Sequence, residues 1–391
     1  MLRRLALLAT LFACCVIVFG AFVRLSNAGL SCPDWPTCYG KATWPGHAQE
    51  IESANAAFPD RPFETHKAWR EQVHRMLAGT LGVLVLGIAL VAVRGRSRAT
   101  VLLIGAAVSA ALGVFSYLHG AFALSMAFAI IAMLIPVIVA TGLDRRMPWR
   151  IAVITLTVVI FQAMLGMWTV TLQLKPIVVM GHLLGGLLLF ALLGAIALQL
   201  IVREQPSPSL LRLRPMIVVG VVLVACQIAL GGWTSANYAA TACGIDFPQC
   251  LGHWWPATDF REGFVLWRGI GVNYEGGVLD LPARSAIQIA HRIGALIVFG
   301  YVLALVFAAW RRRVHALAAT IAALLIAQIA LGISNVVFAL PLVIATAHNG
   351  VAALLLLALV ALLVHSCVPV ADLVEEQLAI ASRASPGPIA Q

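Results

Sequence analysis

The sequence predicts an all-α integral membrane protein: two parallel repeats of four helices, with an extra transmembrane hairpin inserted in the first. Three observations carry that expectation. The chain of 391 residues is 61% hydrophobic and 11% charged, with a mean hydropathy of +0.96. Its apolar residues gather into runs of about 20, the length a helix needs to cross the hydrocarbon core of a bilayer. Landmarks of the first half then recur, in order, in the second.

The runs fall near 5–24, 72–93, 99–118, 121–143, 151–170, 177–201, 216–234, 286–310, 316–338 and 342–366, ten spans in all. The first follows Arg3-Arg4 and has the layout of a signal peptide, but its kinship with a later span makes it an integral helix. The net charge of +10 sits mainly in short connections, at Arg3-Arg4, Arg94/Arg96/Arg98, Arg145/Arg146/Arg150, Arg203/Arg212/Arg214 and Arg311 to Arg313. That placement is the positive-inside bias. The basicity therefore reports topology in membrane lipid, and no nucleic-acid partner is expected. Both termini are then cytoplasmic, and the stretches 26–70 and 235–285 lie on the opposite face. A Ser/Pro/Ala-rich end, 369–391, reads as a cytoplasmic tail.

The duplication is visible in single residues. Gly20 and Gly231 end corresponding helices 211 positions apart, and Cys32 meets Cys243 and Trp44-Pro45 meets Trp255-Pro256 at the same offset. Cys38 matches Cys250 after a one-residue insertion, and Gln162 and His182 map onto Gln328 and His348 at 166. The offset shrinks because the hairpin at 99–143 has no counterpart. The expected units are 1–205, carrying that hairpin, and 206–368.

Four histidines, His74, His182, His291 and His348, enter apolar runs at repeat-equivalent places and similar depth. An ionisable group in a span is costly and defaults to a functional role. One such histidine would pass as a satisfied core residue; four matched ones do not. In each half one comes from the second helix and one from the fourth, as axial ligation of a shared haem iron requires. Zinc is the rival, but its sites usually recruit cysteine or carboxylate and reach four ligands. His47, His66, His119, His253, His315 and His365 read as structural or solvated.

Other residues cluster around these four. Arg75 and Arg292 directly follow a candidate ligand and are expected to meet haem propionates, with snorkelling as the plainer reading. Arg24 and Lys175 border the same face. Glu71 precedes His74 by three residues, on the same side of the helix, where the second half has Gln288. A carboxylate can move a proton; an amide cannot. The pairs Cys32/Cys38 and Cys243/Cys250 lie on the face where disulfides are permitted, and their spacing differs from the C-x2-C of zinc and thioredoxin sites. Each pair is expected to close a disulfide within its loop.

Together these segments resemble the haem A synthase family. The resemblance rests on Arg24 to Ser31 (RLSNAGLS), Glu71-Gln72-Val73-His74-Arg75, Gln162 to Thr169 (QAMLGMWT) and Gly181 to Gly185 (GHLLG). It continues through Gln227 to Thr234 (QIALGGWT), His291-Arg292 and His348-Asn349-Gly350. It implies oxidation of the C8 methyl of haem O to a formyl group by successive hydroxylations, in cytochrome oxidase maturation. His291 and His348 would ligate a resident haem b, while His74 and His182 would flank the substrate haem O with Glu71 catalytic beside it. It also implies haem O synthase as a partner and an electron acceptor whose identity the sequence leaves open, and it allows an oligomer. The family core has eight helices, so the hairpin at 99–143 is a departure. With no presequence ahead of the first span, a bacterial inner membrane is expected, with periplasmic cysteine loops. The rival reading is a di-haem b, quinol-linked electron-transfer protein, which needs the histidines but not Glu71. A transporter, the third reading, usually has its site near the bilayer midplane.

Overall fold

The computed structural model describes residues 1–144, 148–202 and 208–367. The tail 369–391, Arg145, Arg146, Arg203 and the unit boundary at 205/206 lie outside the described residues. The described elements are helices α1 (Leu2–Leu25), α2 (Ala48–Ala57), α3 (Thr65–Ala92), α4 (Ser97–Leu118), α5 (Phe122–Thr141), α6 (Pro148–Thr171) and α7 (Pro176–Gln199). They continue with α8 (Pro208–Leu211), α9 (Arg214–Ala236), α10 (Phe260–Gly263), α11 (Leu281–Arg311), α12 (His315–Val337) and α13 (Leu342–His365). Ten of them are long and apolar enough to cross a membrane, and no strand occurs among the described residues. The protein is an all-helical, multi-pass membrane protein.

Local chemistry sets the boundaries. Proline opens α7, α9 and α11 at N1 or N2, where its missing N–H costs nothing. Asp280 caps α11, its side chain accepting from the Ala283 N–H at 3.0 Å. Two helices start well before their apolar runs: α3 at Thr65 and α11 at Leu281, against 72 and 286. Their first turns, THKA and LPAR, carry too few apolar residues to join the run, though Ala68 and Ala283 in them are fully buried.

Helices α1, α3, α6 and α7 pack in a closed ring, each against the next, and α9, α11, α12 and α13 do the same. The rings meet through α1 against α13, α7 against α9 and α7 against α13, which are the contacts a two-fold relation would give. The α7–α13 contact is close: a Cβ on Gly194 would stand 2.3 Å from Leu357 Cδ1. Hairpin α4–α5 leans on α6 from outside the first ring.

The two outer stretches carry matching disulfide turns. Cys32 is bonded to Cys38 and Cys243 to Cys250, and each turn is closed by a bridge, Cys38 with Lys41 and Cys250 with His253. The turns sit on the carboxylates of Asp34 and Asp246, which accept from the Gly40 and Gly252 N–H groups at 2.8 Å. The halves are tied across this face by Arg61 to Glu275 at 2.7 Å and by Arg24, which donates to the Ser235 carbonyl at 2.8 Å.

Candidate functional site

Each of the four histidines lies with its ring against a glycine of the neighbouring helix. A Cβ on Gly20 of α1 would stand 2.7 Å from His74 Cε1; on Gly166 of α6, 3.1 Å from His182 Cε1. Gly231 of α9 and Gly332 of α12 stand in the same relation, at 3.2 Å, to His291 and His348. The glycines create the space that holds the imidazoles, and no side chain fits between. His74 on α3 and His182 on α7 belong to one ring, and His291 on α11 and His348 on α13 to the other.

This arrangement exposes a finer repeat than four helices. One turn before three of those glycines stands a glutamine: Gln162, Gln227 and Gln328. Gln162 donates to the His182 carbonyl at 2.6 Å and lies 3.0 Å from its Nδ1; Gln227 does the same to His291 at 2.9 and 3.1 Å. Gln328 reaches His348 through Nε2 at 3.2 Å. A half-turn of that ring would give the arrangement of the other two. At the fourth place Val16 stands where the glutamine would be, and Nδ1 of His74 has no partner. The repeating unit is thus a helical hairpin, glycine on the first helix and histidine on the second, occurring four times.

Glu71 is the main difference between the halves. It is 4% exposed, and its oxygens face donors: Cys32 N–H at 2.8 Å, Ser31 Oγ at 3.0 Å and Arg75 Nη2 at 2.5 Å. The carboxylate therefore pins the disulfide turn to α3. Among the described residues Gln288 holds no such bond, and its buried Oε1 has no partner.

Arg75 and Arg292, expected from sequence to meet haem propionates, lie against their own cysteine turns. Arg75 donates to the carbonyls of Asp34 (2.7 Å), Thr37 (2.6 Å) and Cys32 (3.3 Å). Arg292 donates to Gln249 (2.8 Å), Pro248 (3.1 Å) and Asp246 (3.2 Å). Each guanidinium clasps its own cysteine turn, because a buried run of carbonyls outside regular structure needs donors. Lys175, a minor feature of the sequence, is 1% exposed; its ammonium has no hydrogen-bond partner among the described residues and lies 3.5 Å over the Trp267 ring. Cys14, Cys15, Cys226 and Cys367 are free. Among the described residues, no three His, Cys, Asp or Glu converge as a metal cluster.

Fold and site define a class: a polytopic helical membrane protein with two helical rings, each holding a pair of glycine-seated imidazoles, under a disulfide-braced outer surface. The chain matches the family model described as "Cytochrome oxidase assembly protein", COX15-CtaA, over residues 3–116 and 113–360. A protein of Shewanella oneidensis named "Heme A synthase" is 39% identical over 366 residues, 92% of this chain and 94% of that protein. Another of that name, from Rhizorhabdus wittichii, is 25% identical over 366 residues, 90% of each. The chain belongs to the COX15-CtaA family of cytochrome oxidase assembly proteins.

Proposed function

We propose that this protein is a haem A synthase, an oxidoreductase that converts the C8 methyl of haem O to a formyl group by successive hydroxylations. The observation that carries the reading is the carboxylate of Glu71, set beside one of the two histidine pairs where the other has Gln288. Two relatives named "Heme A synthase" support it.

In this reading His74 and His182 hold the substrate haem O, and His291 and His348 hold a haem b. The residues suit such groups. The rings are seated over glycine, and Gln162 and Gln227 stand 3.0 and 3.1 Å from Nδ1 of their histidines, where the amide turned over would present its oxygen to the Nδ1–H of a ligating imidazole. A bound haem b would supply a one-electron relay. Oxidising methyl to formyl removes four electrons and four protons, with water supplying the oxygen. Glu71, three residues from His74, is placed to take such a proton. Arg75 and the Cys32 N–H fix its carboxylate while the reaction proceeds. The enclosing helices exclude bulk water. The protein would lie in the bacterial inner membrane, with both termini cytoplasmic and the cysteine turns periplasmic, receiving haem O from its synthase.

The test is haem chromatography of cells that make haem O synthase with and without this chain. Haem A, or a hydroxylated precursor, present only with the chain is the expected result. Unchanged haem O beside a purified protein rich in haem b overturns the reading in favour of electron transfer.

A further inference from the structure

A cavity lies outside both rings. Hairpin α4–α5 leans on α6 near its outer end and leaves a cleft of about 590 Å³ between them. That is the size of an ordinary small-molecule site. Its walls are apolar, with Met126, Met164, Met167 and Ala163 among them, and it lies beside side chains that face lipid, such as Phe122 at 63% exposure.

Polar groups are few and unspent. Tyr117, Ser125, Trp35 and Trp168 are among the lining residues, and none of their side chains makes a hydrogen bond among the described residues. Trp35 and Tyr117 meet edge to face at 5.7 Å. An apolar slot with several donors and aromatic edges suits a flat ring bearing carbonyl acceptors and an apolar tail.

The cleft also adjoins the candidate chemistry by two routes. Trp35 belongs to the turn closed by Cys32 and Cys38. Its neighbour Asp34 accepts from Arg75, which in turn binds Glu71. Along α6, Ala163, Met164 and Met167 line the cleft, while Gln162 and Gly166 touch His182. One helix, about 10 Å thick, therefore separates the slot from an imidazole of the first pair.

We propose that this cleft binds a membrane quinone, which accepts the electrons released by the oxidation. The inference rests on the synthase reading for the source of those electrons. It balances as R–CH3 + H2O + 2 quinone → R–CHO + 2 quinol: each quinone takes two electrons and two protons, and water supplies the formyl oxygen. Acyl chains of phospholipid compete for the same apolar walls, so binding is measured against a phospholipid background.

The experiment uses the full chain, carrying its haem, in nanodiscs of quinone-free phosphatidylcholine, with labelled decylubiquinone as probe. Wild type should bind the probe saturably at about one per chain. Ala163→Trp, at an exposed position lining the slot, should weaken binding at least tenfold with haem content and thermal midpoint unchanged. Tyr117→Phe, which removes one donor, should weaken it by about two- to tenfold. Turnover of loaded haem O should yield about two quinols per haem A. Absence of saturable binding, or equal binding by wild type and Ala163→Trp, overturns the site while haem A formation in cells leaves the synthase reading intact. Binding without haem A formation overturns the quinone's role as acceptor together with the synthase reading, and the separate binding measurement tells the two failures apart.

Discussion

Glu71 and Gln288 have nearly the same shape, so exchanging one for the other isolates charge. In Glu71→Gln the amide oxygen still accepts from Cys32 N–H, but Arg75 loses its counter-ion. Haem A yield in cells should fall by about a hundredfold or more, the usual worth of a positioned acid–base group, with bound haem retained. A normal yield would remove Glu71 from the chemistry. Arg75→Ala strips both the carboxylate and the turn carbonyls, and should cost about 3–5 kcal/mol by leaving a buried charge unpaired. Arg292→Ala exposes only carbonyls and should cost about 1–3 kcal/mol. Thermal unfolding in detergent compares them, and equal losses would deny Glu71 its ionic bond. Gly20→Ala pushes a methyl to within 2.7 Å of His74 and should displace the ring and lower haem content, whereas Gly79→Ala meets nothing within 4 Å and should not. A haem spectrum unchanged by Gly20→Ala would show that the ring does not need that space. The histidines and Glu71 were legible because polar groups stand out in apolar runs. The seating glycines were not, since a small residue in such a run looks like any other until a ring lies on it. The clasping roles of Arg75 and Arg292 were hidden too, because their partners are backbone carbonyls about 40 positions away.

Among the elements, the ten spans were readable from hydropathy, while the starts of α3 and α11 were not, because their first turns carry too few apolar residues to join the run. Helix α2, Ala48–Ala57, escaped notice: its sequence AQEIESANAA carries little apolar periodicity, and only Ala54 is buried. Hairpin α4–α5 was legible as an insertion, but its sequence carried no hint of the cleft, which needs α6 as its other wall. Because the hairpin returns the chain to the face it left and packs outside the ring, it should be removable. Replacing 93–147 by a short polar connection should preserve membrane insertion and the haem b spectrum, while abolishing saturable decylubiquinone binding. Loss of the haem spectrum would mean that α4 and α5 support the first ring rather than serve it.

At the level of the whole molecule, the rings are joined along α1, α7, α9 and α13, and Gly194 sits at the tightest point. Gly194→Val would force a branched side chain against Leu357 and should cost about 1–3 kcal/mol of overpacking strain. A thermal midpoint equal to wild type would mean that the interface yields easily. The same near-two-fold relation has a consequence for ancestry. Two separate copies of one half, paired about such an axis, would be bound to carry identical residues, a carboxylate in both sites or in neither. Joining the copies in one polypeptide releases them from that obligation. One site can then keep Glu71 while the other takes Gln288, so that a division of labour closed to any homodimer becomes open to mutation.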